Sequence, residues 1–138
     1  MAVYAGLLRL QTPGHGEIVD LTTGVRSLVA RSGVEDGVVV VFAVGSTVGI
    51  TTMEHEPGGV IDLQELLERL VPADEGYEHN VRNGDSNGHS HLRASIIGPS
   101  ESIPLVAGEL GLGTWQQIVL IDFDDRQRDR VVSVQVLS

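Results

Sequence analysis

Apolar and polar positions alternate loosely over residues 3–10. They then meet the turn cluster Thr12-Pro-Gly-His-Gly16, which precedes a second short apolar stretch at Glu17–Leu21. The alternation predicts two strands, and the intervening turn predicts that they form a hairpin. Val25, Leu28 and Val29 recur at helical spacing after Thr22 and Thr23, so a short amphipathic helix is expected, capped by one threonine and ended by Gly33. Gly37–Val44 is a continuous β-branched run, the pattern of a strand buried on both faces. Gly45-Ser-Thr47 separates it from a further strand at Val48–Glu54.

Pro57-Gly-Gly59 interrupts the chain. The spacing of Leu63, Leu66, Leu67 and Leu70 then predicts a helix over Ile61–Val71, with Pro72 beyond its end. A third helix is expected after Ser90, carrying Leu92 and Ile96 inward and stopped by Gly98-Pro99. The C-terminal third predicts strands at Ile103–Val106, Trp115–Phe123 and Arg130–Leu137. The last two are joined by a charged hairpin turn, Asp124–Asp129. Strands outnumber helices and tight turns separate several of them. The predicted fold is therefore a single α+β domain over residues 1–138, a largely antiparallel β-sheet covered by about three helices.

Composition narrows the chemistry. The formal charge of −10 repels nucleic acid and anionic lipid, so neither a nucleic-acid partner nor a membrane is expected. All nine basic residues are arginine and there is no cysteine. Without a lysine amine there can be no Schiff base and no P-loop lysine. Without a thiol, any metal must be held by His, Asp, Glu or water. The first ten residues do not read as a charged leader ahead of an apolar core, and Val38–Val44 is too short to cross a bilayer, so a cytoplasmic location is expected. The abundance of Val and Ile suggests strand surface buried between subunits.

Three of the five histidines, His79, His89 and His91, lie within thirteen residues of a polar Gly/Asn/Asp segment. Imidazole is the commonest ligand for zinc and similar ions, so these three are the candidate metal ligands, with a solvated polar loop as the alternative. Arg82, Arg93 and Ser95 stand beside them and could contact a phosphate, although Arg93 also fits a solvated helix residue and Ser95 an ordinary small surface position. Glu54 and Glu56 fall on one face of a strand end, where Glu54 could act as a general base or ligand. Trp115, the only tryptophan, could stack on a ligand ring, with Gln116 or Gln117 hydrogen-bonding to it.

Several blocks, in order, resemble the YjbQ-like family: Ser-Thr-Val-Gly-Ile-Thr-Thr, Leu-Glu-Arg-Leu-Val-Pro, Tyr-Glu-His-Asn, Asn-Gly-His-Ser-His-Leu-Arg-Ala-Ser-Ile-Ile-Gly-Pro-Ser and Gly-Thr-Trp-Gln-Gln-Ile-Val-Leu, with a closing Val-Gln-Val. The resemblance covers about Val38 to the C-terminus. It implies a small α+β domain assembled as a homotrimer. It also implies a weak thiamine-phosphate synthase activity, a transferase reaction joining a hydroxymethylpyrimidine diphosphate to a thiazole phosphate with release of pyrophosphate.

By position, the resemblance places the family's site residues at His79, His91, Arg93, Ser95, Glu54 and Gly113 to Gln116. Two positions depart: Gly45 stands where many members carry a strand histidine, and Met53 where they carry asparagine. His89 is then expected to replace the missing strand histidine as a ligand.

The resulting expectation is an enzyme in which a divalent cation, zinc or magnesium, at His79, His89 and His91 binds a small phosphorylated substrate. Arg82, Arg93, Ser95, Trp115 and Gln116 would contact that substrate, and Glu54, Arg93 and Ser95 would act in catalysis. The alternatives are a trimeric metal- or phosphoryl-ligand-binding module without turnover, a structural trimer with a vestigial site, and a metal-dependent hydrolase.

Overall fold

A computed structural model describes residues 2–138. Its elements are β1 (Val3–Thr12), β2 (Glu17–Asp20), α1 (Thr22–Ser32), β3 (Gly37–Val44), β4 (Val48–Met53), α2 (Pro57–Leu70), α3 (Glu78–Asn83), α4 (Gly88–Ile97), β5 (Ser100–Val106), β6 (Glu109–Leu110), β7 (Gln117–Asp122) and β8 (Arg128–Leu137). The strands form two sheets, one in the order β1-β8-β3-β5-β6 and one in the order β2-β7-β4. Every strand pair is antiparallel.

The expected α+β class holds, while the two expected hairpins do not form. β1 pairs with β8 and β2 pairs with β7, so the Thr12–Gly16 turn carries the chain from one sheet to the other. Asp124–Asp129 makes the same crossing in reverse, because β7 and β8 also lie in different sheets.

The layers follow from side-chain alternation. Ile118 and Leu120 of β7 join the main core, with Val39, Val41 and Ala43 of β3, Val132, Val134 and Val136 of β8, and Val25, Leu28 and Val29 of α1. Val119 and Ile121 point the other way and pack with Phe123, with Leu67 of α2 and with Ala94 of α4. β7 is therefore the strand buried on both faces, and α2 and α4 cover the outer side of the smaller sheet. Each fully buried Val, Leu or Ile stabilises the fold by about 1.5–3 kcal/mol.

β3 is buried on one face only, contrary to the sequence expectation. Val38, Phe42 and Val44 stay exposed, as do Val3 and Leu7 of β1 and Val106 of β5, so the outer face of the larger sheet exposes several large apolar side chains beside the polar Arg9, Gln11, Asp129 and Gln135.

Two helices differ from the prediction for local reasons. α2 begins four residues earlier than expected, because Pro57 stands at its start and the Glu56 carboxylate caps it by accepting from the backbone N–H of Gly58 and Gly59. Glu56 is thus a helix cap and does not share a strand face with Glu54, since β4 ends at Met53. α4 begins at Gly88, so His89 and Ser90 lie inside the helix, and Ser90 is not its cap. α3, a helix absent from the sequence prediction, follows Tyr77 and ends on Gly84 in the left-handed conformation.

Candidate functional site

The C-terminal end of β3, the segment before β4, the start of α4 and the β7–β8 crossing meet at one end of the β4–β7 pair. They line an open polar cavity of about 450 Å³ formed by Gly45, Ser46, Thr47, Asp85, Asn87, His91, Asp124, Arg128, Asp129 and Arg130. That volume suits a small molecule. A smaller depression of about 230 Å³ sharing Gly45, Ser46 and His91 continues from it toward Ala94, Ser95 and Pro99.

The floor is a buried ionic network. Arg130, only 7% exposed, donates from Nε and Nη2 to the two carboxylate oxygens of Asp122, each at 2.7 Å, and from Nη2 to Thr47 Oγ1 at 2.7 Å. Such a fork satisfies both buried charges together. Its Nη1 lies beside Gly45, where an added Cβ would come within 2.8 Å of it.

Asp124 is also buried. It accepts from Arg128 Nε at 2.8 Å, Thr47 Oγ1 at 3.0 Å, Asn87 Nδ2 at 3.3 Å and the Asp125 N–H at 2.8 Å. Burial alone would raise its pKa, but these donors together outweigh burial and hold the carboxyl well below the usual range.

The wall is formed by α3 and α4. Gly88 packs against Tyr77, so a Cβ at position 88 would stand 2.7 Å from the tyrosine Cβ, and its N–H donates to Asn80 Oδ1 at 2.8 Å. This close approach sets α3 against the start of α4. It brings His79 and His91 together with ring centroids 4.5 Å apart and planes inclined by 51°.

Asn87 donates to Asp124, so its Oδ1 faces His79 Nε2 as an acceptor at 2.9 Å and fixes the proton on that nitrogen. Asn83 Nδ2 stands 3.4 Å from His79 Nδ1. Asp85 lies 3.8 Å from His79 Nε2 and pairs with Arg126 at 2.8 Å, an interaction that lowers its pKa.

His89 does not join this pair. One residue before Ser90 on the helix, it is buried, and its Nδ1 has no hydrogen-bond partner among the described residues. Burial first, and then the charge of Arg93, hold its pKa below the ordinary value. The expected exchange of a strand histidine for His89 is corrected accordingly: His89 entered the helix interior because α4 starts earlier than the sequence suggested. No group of three or more His, Asp or Glu residues among the described residues is arranged to hold an ion as it stands. An ion at the His79–His91 pair would have to displace Asn87 or Asn83 from His79 and complete its shell from Asp85, water or a ligand.

Arg93 is likewise corrected as a phosphate contact. Its guanidinium is buried and turned toward the end of α2, donating to the Val71 carbonyl at 2.7 and 3.0 Å and to Glu68 at 2.6 Å. Arg82 is exposed on α3 and pairs with Glu78 at 3.1 Å. Ser95 donates to the His91 carbonyl at 2.9 Å and lies on the cavity rim.

Glu54, Trp115 and Gln116 lie elsewhere. With Thr52, Met53, Gly113 and Thr114 they line an open depression of about 440 Å³ at the other end of β4. Gln116 is held there by donating to Thr52 Oγ1 at 2.9 Å and accepting from the Gly113 N–H at 3.0 Å, while Trp115 is 71% exposed.

The residues that sequence reasoning missed are Asp122, Asp124, Arg128, Arg130, Thr47, Asn87 and Asp85. A signal was present in the i, i+2 spacing of Asp122 with Asp124 and of Arg128 with Arg130, which places like residues on one side of each extended segment.

Two packed antiparallel sheets with a polar cavity at their shared end define a small α+β domain. A family model described as UPF0047 protein YjbQ-like matches residues 7–138, and the chain belongs to that family. It is 37% identical over 131 residues to a UPF0047 protein of Methanothermobacter thermautotrophicus, covering 95% of this chain and 90% of the relative. It is 38% identical over 125 residues to one of Archaeoglobus fulgidus, covering 91% and 95%. Among solved structures, a YbjQ-like protein of unknown function from Sulfolobus solfataricus superposes with a TM-score of 0.95 at 31% identity, covering 99% of this chain and 98% of the other. An uncharacterised YjbQ/UPF0047 protein from Clostridium acetobutylicum gives 0.87 at 37% identity, covering 95% and 98%. No helix among the described residues is long and apolar enough to cross a membrane.

Proposed function

We propose that the cavity at His91 binds a diphosphate-bearing small substrate together with a divalent cation, zinc or magnesium, and that the chain transfers the organic group of that substrate. The observation that carries this reading is the charge of the lining. Two arginines, Arg128 and Arg130, face three aspartates, Asp85, Asp124 and Asp129, around His91, whose ring is tilted against that of His79 behind it. A bare polyanion is disfavoured by that balance, whereas a cation–phosphate complex matches it.

A cation held by His79 and His91 would neutralise charge developing on the leaving pyrophosphate. Arg128 bonds to Asp124 through Nε and carries no bond at its terminal nitrogens among the described residues, which leaves them available to phosphate oxygens. Ser46 and the Nη1 of Arg130 beside Gly45 supply further donors.

The reaction favoured by the family resemblance is the thiamine-phosphate synthase type. The bond from the pyrimidine methylene carbon to the diphosphate oxygen breaks, and pyrophosphate departs with the electron pair. The thiazole nitrogen lone pair then forms the new carbon–nitrogen bond. No proton is transferred to or from either reacting atom, so the residues need only bind, orient and offset charge.

The exposed outer face of the larger sheet supports assembly with further copies, as in a homotrimer. Its outward positions Val3, Leu7, Val38, Phe42, Val44 and Val106 expose large apolar side chains, interspersed with Arg9 and Asp129. The test is pyrophosphate release from a hydroxymethylpyrimidine diphosphate and a thiazole phosphate with added magnesium or zinc. His91→Ala should abolish turnover, and equal release by wild type and variant would overturn the reading.

A further inference from the structure

The charged residues around His91 belong to only one of the two depressions it lines. Asp85, Asp124, Arg128, Asp129 and Arg130 all face the larger cavity, whereas the adjoining depression of about 230 Å³ has no aspartate, glutamate or arginine in its lining. Val48, Ala94 and Pro99 form its apolar part, and Ser46 and Ser95 bring hydroxyls to it. Gly45 is the seam. A Cβ there would stand 2.8 Å from Arg130 Nη1 and 3.0 Å from Val48 Cγ1, so bare backbone at this position leaves the charged and the uncharged compartments joined.

We infer that the uncharged depression receives the organic group of the substrate whose diphosphate lies in the larger cavity, and that Ser95 selects a group presenting a hydrogen-bond donor. The inference rests on the cation–diphosphate reading for the ligand's charged end. An uncharged lining offers no partner to a second charged group, whose desolvation would go uncompensated, so the organic group must be neutral. Its size follows from the volume. At about 30 Å³ for each water-sized group, 230 Å³ holds about eight of them, which is one substituted ring.

Ser95 sets the polarity of the contact. It is exposed on α4, and its hydroxyl donates to the His91 carbonyl at 2.9 Å, one turn back along the helix. Without giving up that bond its oxygen can only accept from a ligand. A ring that presents an N–H is therefore bonded, whereas one that presents only a lone pair is not. An amino-substituted pyrimidine meets both the size and the polarity.

The test uses an aminopyrimidine bearing a hydroxymethyl group, as the neutral alcohol without phosphate, and the same alcohol lacking the amino group. Each is titrated into the isotope-labelled full chain and followed by amide NMR shifts. Saturable shifts centred on Gly45, Ser46, Ala94 and Ser95 are expected, with the amino compound binding the wild type about 3- to 10-fold more tightly, the worth of one hydrogen bond. Ser95→Ala should erase that preference while leaving the affinity for the other alcohol unchanged. Ser95→Leu, which fills the depression from an exposed position, should abolish binding of both in a folded variant.

Saturable shifts centred elsewhere, no saturable shifts, or a preference that survives in Ser95→Ala overturns the inference. Magnesium pyrophosphate, titrated into the wild type in parallel, tests the larger cavity by itself. Failure to bind there sinks the cation–diphosphate reading, and the neutral alcohols alone then decide the depression.

Discussion

His79 and His91 come from separate helices, and their rings stand 4.5 Å apart, inclined by 51°. Two imidazoles so placed can bind one ion once His79 is released from Asn87. The first prediction is that His79→Ala and His91→Ala each remove tight zinc binding, whereas His89→Ala leaves it intact. Asn87→Ala, which removes the partner that must be displaced from His79, should tighten binding by about 10-fold, the worth of one hydrogen bond. Metal content after dialysis and chelator competition measure all four.

Gly45 supplies a sharper version of the same test. It lines the cavity with His91, at the position where the family resemblance places a strand histidine. Gly45→His should add a third imidazole and tighten zinc binding. It should also lower stability by about 1–3 kcal/mol, because the new Cβ crowds Arg130 Nη1 at 2.8 Å. Unchanged affinity in a folded variant would mean that position 45 does not face the ion.

The two corrected residues, His89 and Arg93, show what was legible in the sequence. β-Branched runs and alternation marked most strands, and Gly33 ended α1 as expected, because local sterics decide those features. Pairing was not legible, since both crossings between sheets look like hairpin turns until their partners are known.

The start of α4 was misplaced because Gly88 reads as a helix breaker. Here it is required by Tyr77, and shifting the start to Gly88 put His89 inside the helix. α3 has only six residues, too few to display a period. The Asp122–Arg130 segment read as a solvated turn because burial of paired charges depends on tertiary contacts absent from the sequence.

Arg93 and Arg128 should therefore separate cleanly. Arg93→Ala removes the buried bonds to Val71 and Glu68 and should destabilise the fold by about 2 kcal/mol with little change in turnover per folded molecule. Arg128→Ala should reduce turnover by about 10- to 100-fold, the worth of one charge-assisted contact, with a smaller effect on stability. Denaturant unfolding and steady-state kinetics on both variants test this.

His89 predicts a pH dependence of stability. Its folded pKa is lowered, by burial and then by Arg93, so as pH falls through about 6.5 the unfolded chain takes up the proton first. Its contribution is fully present above that value, decreases as pH falls, and levels off once the folded histidine is protonated too. His89→Gln should flatten the fall in Tm between about pH 7 and the folded pKa relative to wild type. An unaltered slope would assign the dependence to other groups.

The charge argument for the cavity is tested most directly by calorimetric titration of the wild type and His91→Ala with pyrophosphate, in the presence and absence of magnesium or zinc. Binding is predicted only for the wild type and only with the cation present. Equal binding without a cation, or equal binding by His91→Ala, would contradict a site built for a cation–phosphate complex.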